Sequence, residues 1–100
     1  MTAYQARLLA QEIDDAVKKF AVLNHPFSGD IYAFEVDGFG SAYFMDDASI
    51  PSLLSLPSLG YVPKDDPLYQ ATRKFILSEY NPYFFKVFSY TLFNSLGRGW

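Results

Sequence analysis

From Ala3 to about Leu23, apolar side chains recur at Ala6, Leu9, Ile13, Ala16, Val17, Phe20 and Ala21, with Gln11, Asp14, Asp15 and Lys18 between them. That spacing is close to 3.6 residues and predicts an amphipathic helix. Asn24, Pro26, Ser28 and Gly29 then cluster turn formers and end it. The period changes abruptly afterwards. Ile31 to Val36 is rich in β-branched and aromatic residues, Asp37-Gly38-Phe39-Gly40 supplies turn chemistry, and Ala42 to Met45 is apolar again. A β-hairpin is the expected element, with its register left open by the unknown length of the turn.

Leu53, Leu54 and Leu56 have helical spacing within Pro51 to Leu59, so a short helix is expected there, limited by Pro57 before Gly60. Asp65-Asp66-Pro67 reads as a helix start, because an aspartate caps free N–H groups and proline suits the first helical position. Leu68, Ala71, Phe75 and Ile76 form the expected buried stripe of a helix running to about Glu79, and Asn81-Pro82 stops the chain from continuing it. The set is mainly α with a β-hairpin. A lone two-stranded hairpin is marginal unless a larger body covers one face, so these elements point to part of a larger fold.

Half of the 100 residues are apolar and 19% are aromatic, too much core-forming material for a disordered segment. The formal charge is only -3, and no basic cluster is longer than Lys18-Lys19, which argues against nucleic acid as a partner. No run approaches the length of a membrane span, and Met1 to Arg7 holds no apolar block of signal-peptide type. The absence of cysteine removes disulfides and thiolate metal sites, and leaves the compartment open.

The most informative local feature is acidic. Asp30, Glu35, Asp37, Asp46 and Asp47 fall between Asp30 and Ile50 with no Lys or Arg among them. Along a strand Glu35 and Asp37 share a face, about 6.6 Å apart, and a two-residue turn would bring Asp46 to that face too. Such carboxylates can act as acid and base in a glycosidase, accept hydrogen bonds from sugar hydroxyls, or bind a hard cation such as calcium. They can equally serve the backbone, with Asp37 folded over the Gly38 turn and Asp46 or Asp47 capping the segment that starts at Pro51. The alternating acids and closing Glu of a calcium loop are absent. His25, the single histidine, has no second His, Cys or nucleophile motif nearby and is expected in a loop. Tyr32, Phe34, Phe39, Tyr43 and Phe44 are candidates for sugar stacking or, more commonly, for core, and Gly38 with Gly40 matches no phosphate-binding fingerprint.

Taken as strings, Ile31 to Gly40 (IYAFEVDGFG) and Met45 to Leu54 (MDDASIPSLL) resemble the signature of glycoside hydrolase family 125. Leu59-Gly60-Tyr61, Tyr69-Gln70-Ala71-Thr72-Arg73 and Asn81-Pro82-Tyr83-Phe84 are similar to the same family in order and spacing. The resemblance spans about Ala16 to Phe85. It implies an exo-acting α-mannosidase that removes terminal α-1,6-linked mannose with inversion, using two carboxylic acids and neither metal nor cofactor. It also implies a slice of an (α/α) six-hairpin toroid, the glycosidase barrel, whose rim lines a pocket for an α-mannose-containing glycan.

The family's general acid is expected in an Asp-Asp segment upstream and its base in a His-Glu-Ser segment downstream, and neither matches a position here. No catalytic residue is therefore assigned. Glu35, Asp37, Asp46 and Asp47 are assigned to the sugar pocket, with no metal ligand. Residues 1–85 read as a partial catalytic domain. Residues 86–100 read as a divergent tail, of the kind an intron or shifted frame would encode. The expected function is that of an enzyme fragment inactive alone; a non-catalytic carbohydrate-binding or interaction module is the alternative, and a small calcium-binding protein a third. Poor autonomous folding is expected, since a slice of a toroid leaves faces that its neighbours should cover.

Overall fold

The computed structural model describes residues 1–47 and 49–84. In chain order the elements are α1 (Ala3–Ala16), a π-helical turn (Val17–Ala21), β1 (Val22–His25), β2 (Gly29–Tyr32), β3 (Glu35–Val36), β4 (Ala42–Tyr43) and α2 (Pro67–Ile76). The fold is mainly helical with small antiparallel hairpins. The segment from residue 86 onward lies outside the described residues.

α1 begins in a capping box that pattern alone did not indicate. The Gln5 N–H donates to Thr2 Oγ1 and the Thr2 N–H donates to Gln5 Oε1. Its expected end near Leu23 is too late, because the chain leaves helical geometry after Ala21 and Val22 is already extended. The reason is tertiary: Val22 and Leu23 pair with Tyr32 and Ile31, so their backbone groups serve a sheet instead of a last helical turn.

There are two hairpins where one was expected. The predicted strand from Ile31 to Val36 is split: Ile31 and Tyr32 pair backward with β1, while Glu35 and Val36 pair forward with Tyr43 and Ala42. A β-strand has two edges to offer, and composition alone does not say which stretch uses which partner. The second hairpin joins its strands through residues 37–41, so the turn holds more than two residues and Asp46 is not carried to the Glu35 face.

The core lies between β2, α2 and the turns near Leu54. Ile31, Leu54, Phe75 and Ile76 are buried together, with Phe44, Leu53, Ala71 and Leu77 packed around them. Fully burying an aliphatic or aromatic side chain contributes about 1.5–3 kcal/mol, so this cluster dominates the apolar stabilisation. The buried face of α2 is Tyr69, Thr72, Phe75 and Ile76; relative to the expected stripe, Tyr69 and Thr72 replace Leu68 and Ala71, which are half-buried. Burial of the two hydroxyls is permitted because each has a partner. Tyr69 Oη donates to the Leu54 carbonyl at 2.9 Å, and Thr72 Oγ1 donates to the Leu68 carbonyl while accepting from the Tyr32 N–H.

Asp66 caps α2 as expected, its carboxylate accepting from the Tyr69 N–H at 2.9 Å. The helix closes at Ile76, three residues before Glu79. Ser78 Oγ takes the Phe75 carbonyl and Asn81 Nδ2 takes the Ile76 carbonyl, so side chains satisfy the acceptors that another helical turn would have used. Residues 51–59 form successive turns in place of the expected short helix. Pro57 lacks a donor, and Ser52 and Ser55 bond each other's backbone: the Ser52 N–H to Ser55 Oγ, the Ser55 N–H to Ser52 Oγ, and Ser55 Oγ to the Ser52 carbonyl.

Candidate functional site

An open cleft of about 470 Å³ lies along the second hairpin, lined by Glu35, Val36, Asp37, Ser41, Ala42 and Tyr43. Glu35 on β3 stands directly opposite Tyr43 on β4, a cross-strand arrangement that puts both side chains on one face. Tyr43 is 67% exposed, and Phe39 at the tip of the loop is 94% exposed. Glu35 is exposed, and among the described residues no hydrogen bond or ion pair holds its carboxylate.

The loop is shaped by Asp37. Its Oδ1 accepts from the Phe39 N–H at 2.7 Å and from the Ser41 N–H at 3.1 Å, while Gly38 at φ 78° and Gly40 at φ 105° turn the backbone through conformations that side chains disfavour. These N–H donors hold the Asp37 carboxyl below its ordinary value. Asp37 is therefore an ionised acceptor, suited to hydroxyl groups and unsuited to donating a proton.

The structure brings Glu35 and Asp37 to one cleft, and Asp46 and Asp47 are not among the residues that line it. Asp46 is fully buried. Its two oxygens accept from the N–H groups of Leu53 at 3.1 Å and Leu54 at 2.9 Å, closing the turn after Pro51. Its own N–H donates to Asn81 Oδ1 and its carbonyl accepts from Asn81 Nδ2. Burial pushes the Asp46 carboxyl up to about 6, with the two N–H donors opposing and the neighbouring Asp47 charge adding to the rise. A carboxyl tuned near neutrality is what a general acid needs, yet this one faces backbone on both oxygens. Asp46, expected in the sugar pocket, acts in this structure as a backbone clamp, the alternative that the acidic segment also allowed. Asp47, half-buried, accepts from the Ser49 N–H at 2.9 Å.

Two residues carry more than their sequence context suggests. His25 ends β1 instead of lying in a loop, with the rings of Phe27, Phe44, Phe75 and Tyr80 at 5.0 to 6.2 Å. Asn81 bonds Asp46 through both backbone groups, and also the Ile76 carbonyl and the Tyr83 N–H. The only sequence signal for Asn81 was its place before Pro82, which marks a stop and not a knot. Of the candidate stacking aromatics, Tyr32 is buried and Phe34 and Phe44 are half-buried, leaving Phe39 and Tyr43 accessible. Among the described residues, no group of three or more His, Asp or Glu is placed to hold a metal ion, and no helix is long and apolar enough to cross a membrane.

The model of the metal-independent alpha-mannosidases (GH125) matches residues 2–95, and the chain belongs to that family. The match continues ten residues past position 85. The chain is 53% identical over 85 residues to the meiotically up-regulated gene 157 protein of Schizosaccharomyces pombe, covering 84% of this chain and 17% of that protein. It also superposes with a TM-score of 0.77 and 51% identity on a metal-independent alpha mannosidase of Streptococcus pneumoniae, solved in a non-productive complex with alpha-1,6-mannobiose. That likeness covers 80% of this chain and 19% of the bacterial one, so the chain spans less than a fifth of the length of either relative.

Proposed function

We propose that this chain is a piece of an inverting exo-α-1,6-mannosidase, that Glu35, Asp37 and Asp47 belong to the wall of its sugar site, and that it is inactive alone. The observation that carries the reading is the cleft on the second hairpin, lined by unpaired Glu35, ionised Asp37 and exposed Tyr43, in a chain of the GH125 family. Carboxylates accept from sugar hydroxyls and an exposed ring packs on a pyranose face. The bacterial relative solved with alpha-1,6-mannobiose supports mannose as the sugar.

Inversion needs a proton donor and a separate carboxylate base on opposite sides of the scissile bond, about 6.5–9.5 Å apart. Here Asp37 is held ionised and Asp46 is spent on backbone, so the cleft binds without supplying the acid. Incubation of the purified chain with α-1,6-mannobiose is expected to release no mannose. Turnover that disappears in Glu35→Gln or Asp47→Asn overturns the inactivity.

The exposure of Phe39 and Tyr43 beside these acceptors also favours a non-catalytic sugar-binding role for the same cleft. Saturable binding of mannobiose without hydrolysis, weakened by Tyr43→Ala, distinguishes that role from an inert fragment.

A further inference from the structure

A second pocket, of about 330 Å³, opens between the turn after β1 and the end of α2, with Phe27, Ser28, Lys74, Phe75, Ser78 and Tyr80 in its wall. Ligand pockets run from about 300 Å³ upward, so it has room for one sugar ring. Phe27 and Tyr80 stack with ring centroids 5.0 Å apart and planes 10° from parallel, yet they remain 73% and 52% exposed. Together they make one flat apolar slab. His25 packs against both rings and accepts the Phe27 N–H at Nδ1, while Ser78 Oγ accepts the Tyr80 N–H. The slab is thus held before any ligand arrives, which lowers the ordering cost of binding.

Lys74 supplies a charge beside that slab. It is exposed on α2, and among the described residues it makes no hydrogen bond or ion pair. No carboxylate stands among the lining residues, although the chain as a whole carries -3. The hairpin cleft has the opposite sign, with Glu35 and Asp37 in its wall. We propose that the Phe27–Tyr80 pocket is a second saccharide site, for a hexose that bears an anionic group, phosphate or carboxylate. The apolar face of the pyranose lies on the ring slab, the Lys74 ammonium takes the anion, and the Ser28 hydroxyl is available to a ring hydroxyl. The choice of a sugar rests on the reading of the chain as a piece of a mannosidase; the choice of an anion rests on Lys74. A lysine in the last turn of a helix also favours the helix dipole, and that is the role left to Lys74 if the pocket stays empty.

The test titrates the full chain with mannose 6-phosphate and with glucuronate in a calorimeter, beside unmodified mannose and inorganic phosphate. At least one anionic sugar is expected to saturate, about tenfold tighter than mannose or phosphate, each of which engages half of the site. Lys74→Met should weaken it about tenfold, the loss of one charge-assisted contact, and Lys74→Arg should keep it. Phe27→Ala should weaken the anionic sugar and leave inorganic phosphate unmoved. Tyr43→Ala, in the hairpin cleft, should leave the affinity for the anionic sugar as it was. Failure of both anionic sugars to saturate, mannose binding as tightly as they do, or phosphate alone binding as tightly overturns the proposal. So does loss of the anionic sugar in Tyr43→Ala, which would move it to the hairpin cleft. Anionic binding that needs Lys74 and Phe27, in a chain that does not bind mannobiose, keeps this pocket and defeats the reading of the hairpin cleft. Mannobiose binding that needs Tyr43, in a chain that ignores both anionic sugars, does the reverse.

Discussion

Asp37 and Asp46 lie nine positions apart, and each accepts two backbone N–H groups. Their surroundings then separate them. Asp37 sits on an exposed loop, where water solvates its charge and the N–H donors hold its carboxyl below the ordinary value. Asp46 is sealed under Leu53, Leu54 and Asn81, where loss of water outweighs the same kind of donors and raises its carboxyl to about 6. Two N–H groups are enough to favour the charged form when water helps, and not enough when water is excluded. A pKa near neutrality is thus the mark of a buried clamp in this chain.

The sharpest way to break this contrast is Asp46→Ala, which leaves the N–H groups of Leu53 and Leu54 unpaired inside the fold. A loss of about 3 kcal/mol is expected in urea unfolding followed by circular dichroism, from about 1–3 kcal/mol per orphaned buried donor. A loss no greater than that of a surface substitution would mean the clamp does not hold the turn.

The pH dependence follows next in size. The folded-state value of Asp46 is about 6 and the ordinary value 3.8. Its contribution to stability is fully present below about pH 4 and is lost as pH rises through about 6, at most about 3 kcal/mol at 1.36 kcal/mol per unit. Stability of the chain should therefore fall between these values, and Asp46→Asn, which cannot ionise, should flatten the slope. A slope that persists in that variant assigns the titration elsewhere. Asp37 has the opposite sign: its contribution is present above the ordinary carboxylate range and fades as the solution is acidified.

The smallest effect is expected from Asp37→Ala. Global unfolding should stay where it is, and the change should appear as faster hydrogen exchange at the Phe39 and Ser41 amides, whose acceptor is removed. An unfolding shift as large as that of Asp46→Ala would erase the distinction between loop and clamp.

How far the chain could be read from its residues varied by element. α1 and the start of α2 were legible because their signals are local: an apolar period, and Asp66 before Pro67. The second hairpin was legible from Asp37-Gly38 and its flanking aromatics, although its strands proved shorter. β1 was hidden inside a helical period, since Val22 and Leu23 suit either state and only Tyr32 and Ile31 decide between them. The site divided in the same way. Glu35 and Asp37 both line one cleft, whereas the position of Asp46 depended on the length of one turn.

By itself the sequence determined the family, the acidic character of the 30–50 segment and the local shape of the Asp37 loop, because each is written in contiguous residues. Tertiary structure decided which carboxylates face water. Burial of Asp46 depends on Asn81, thirty-five positions away, and desolvation is a property of everything that packs around a group, which no stretch of neighbouring residues specifies.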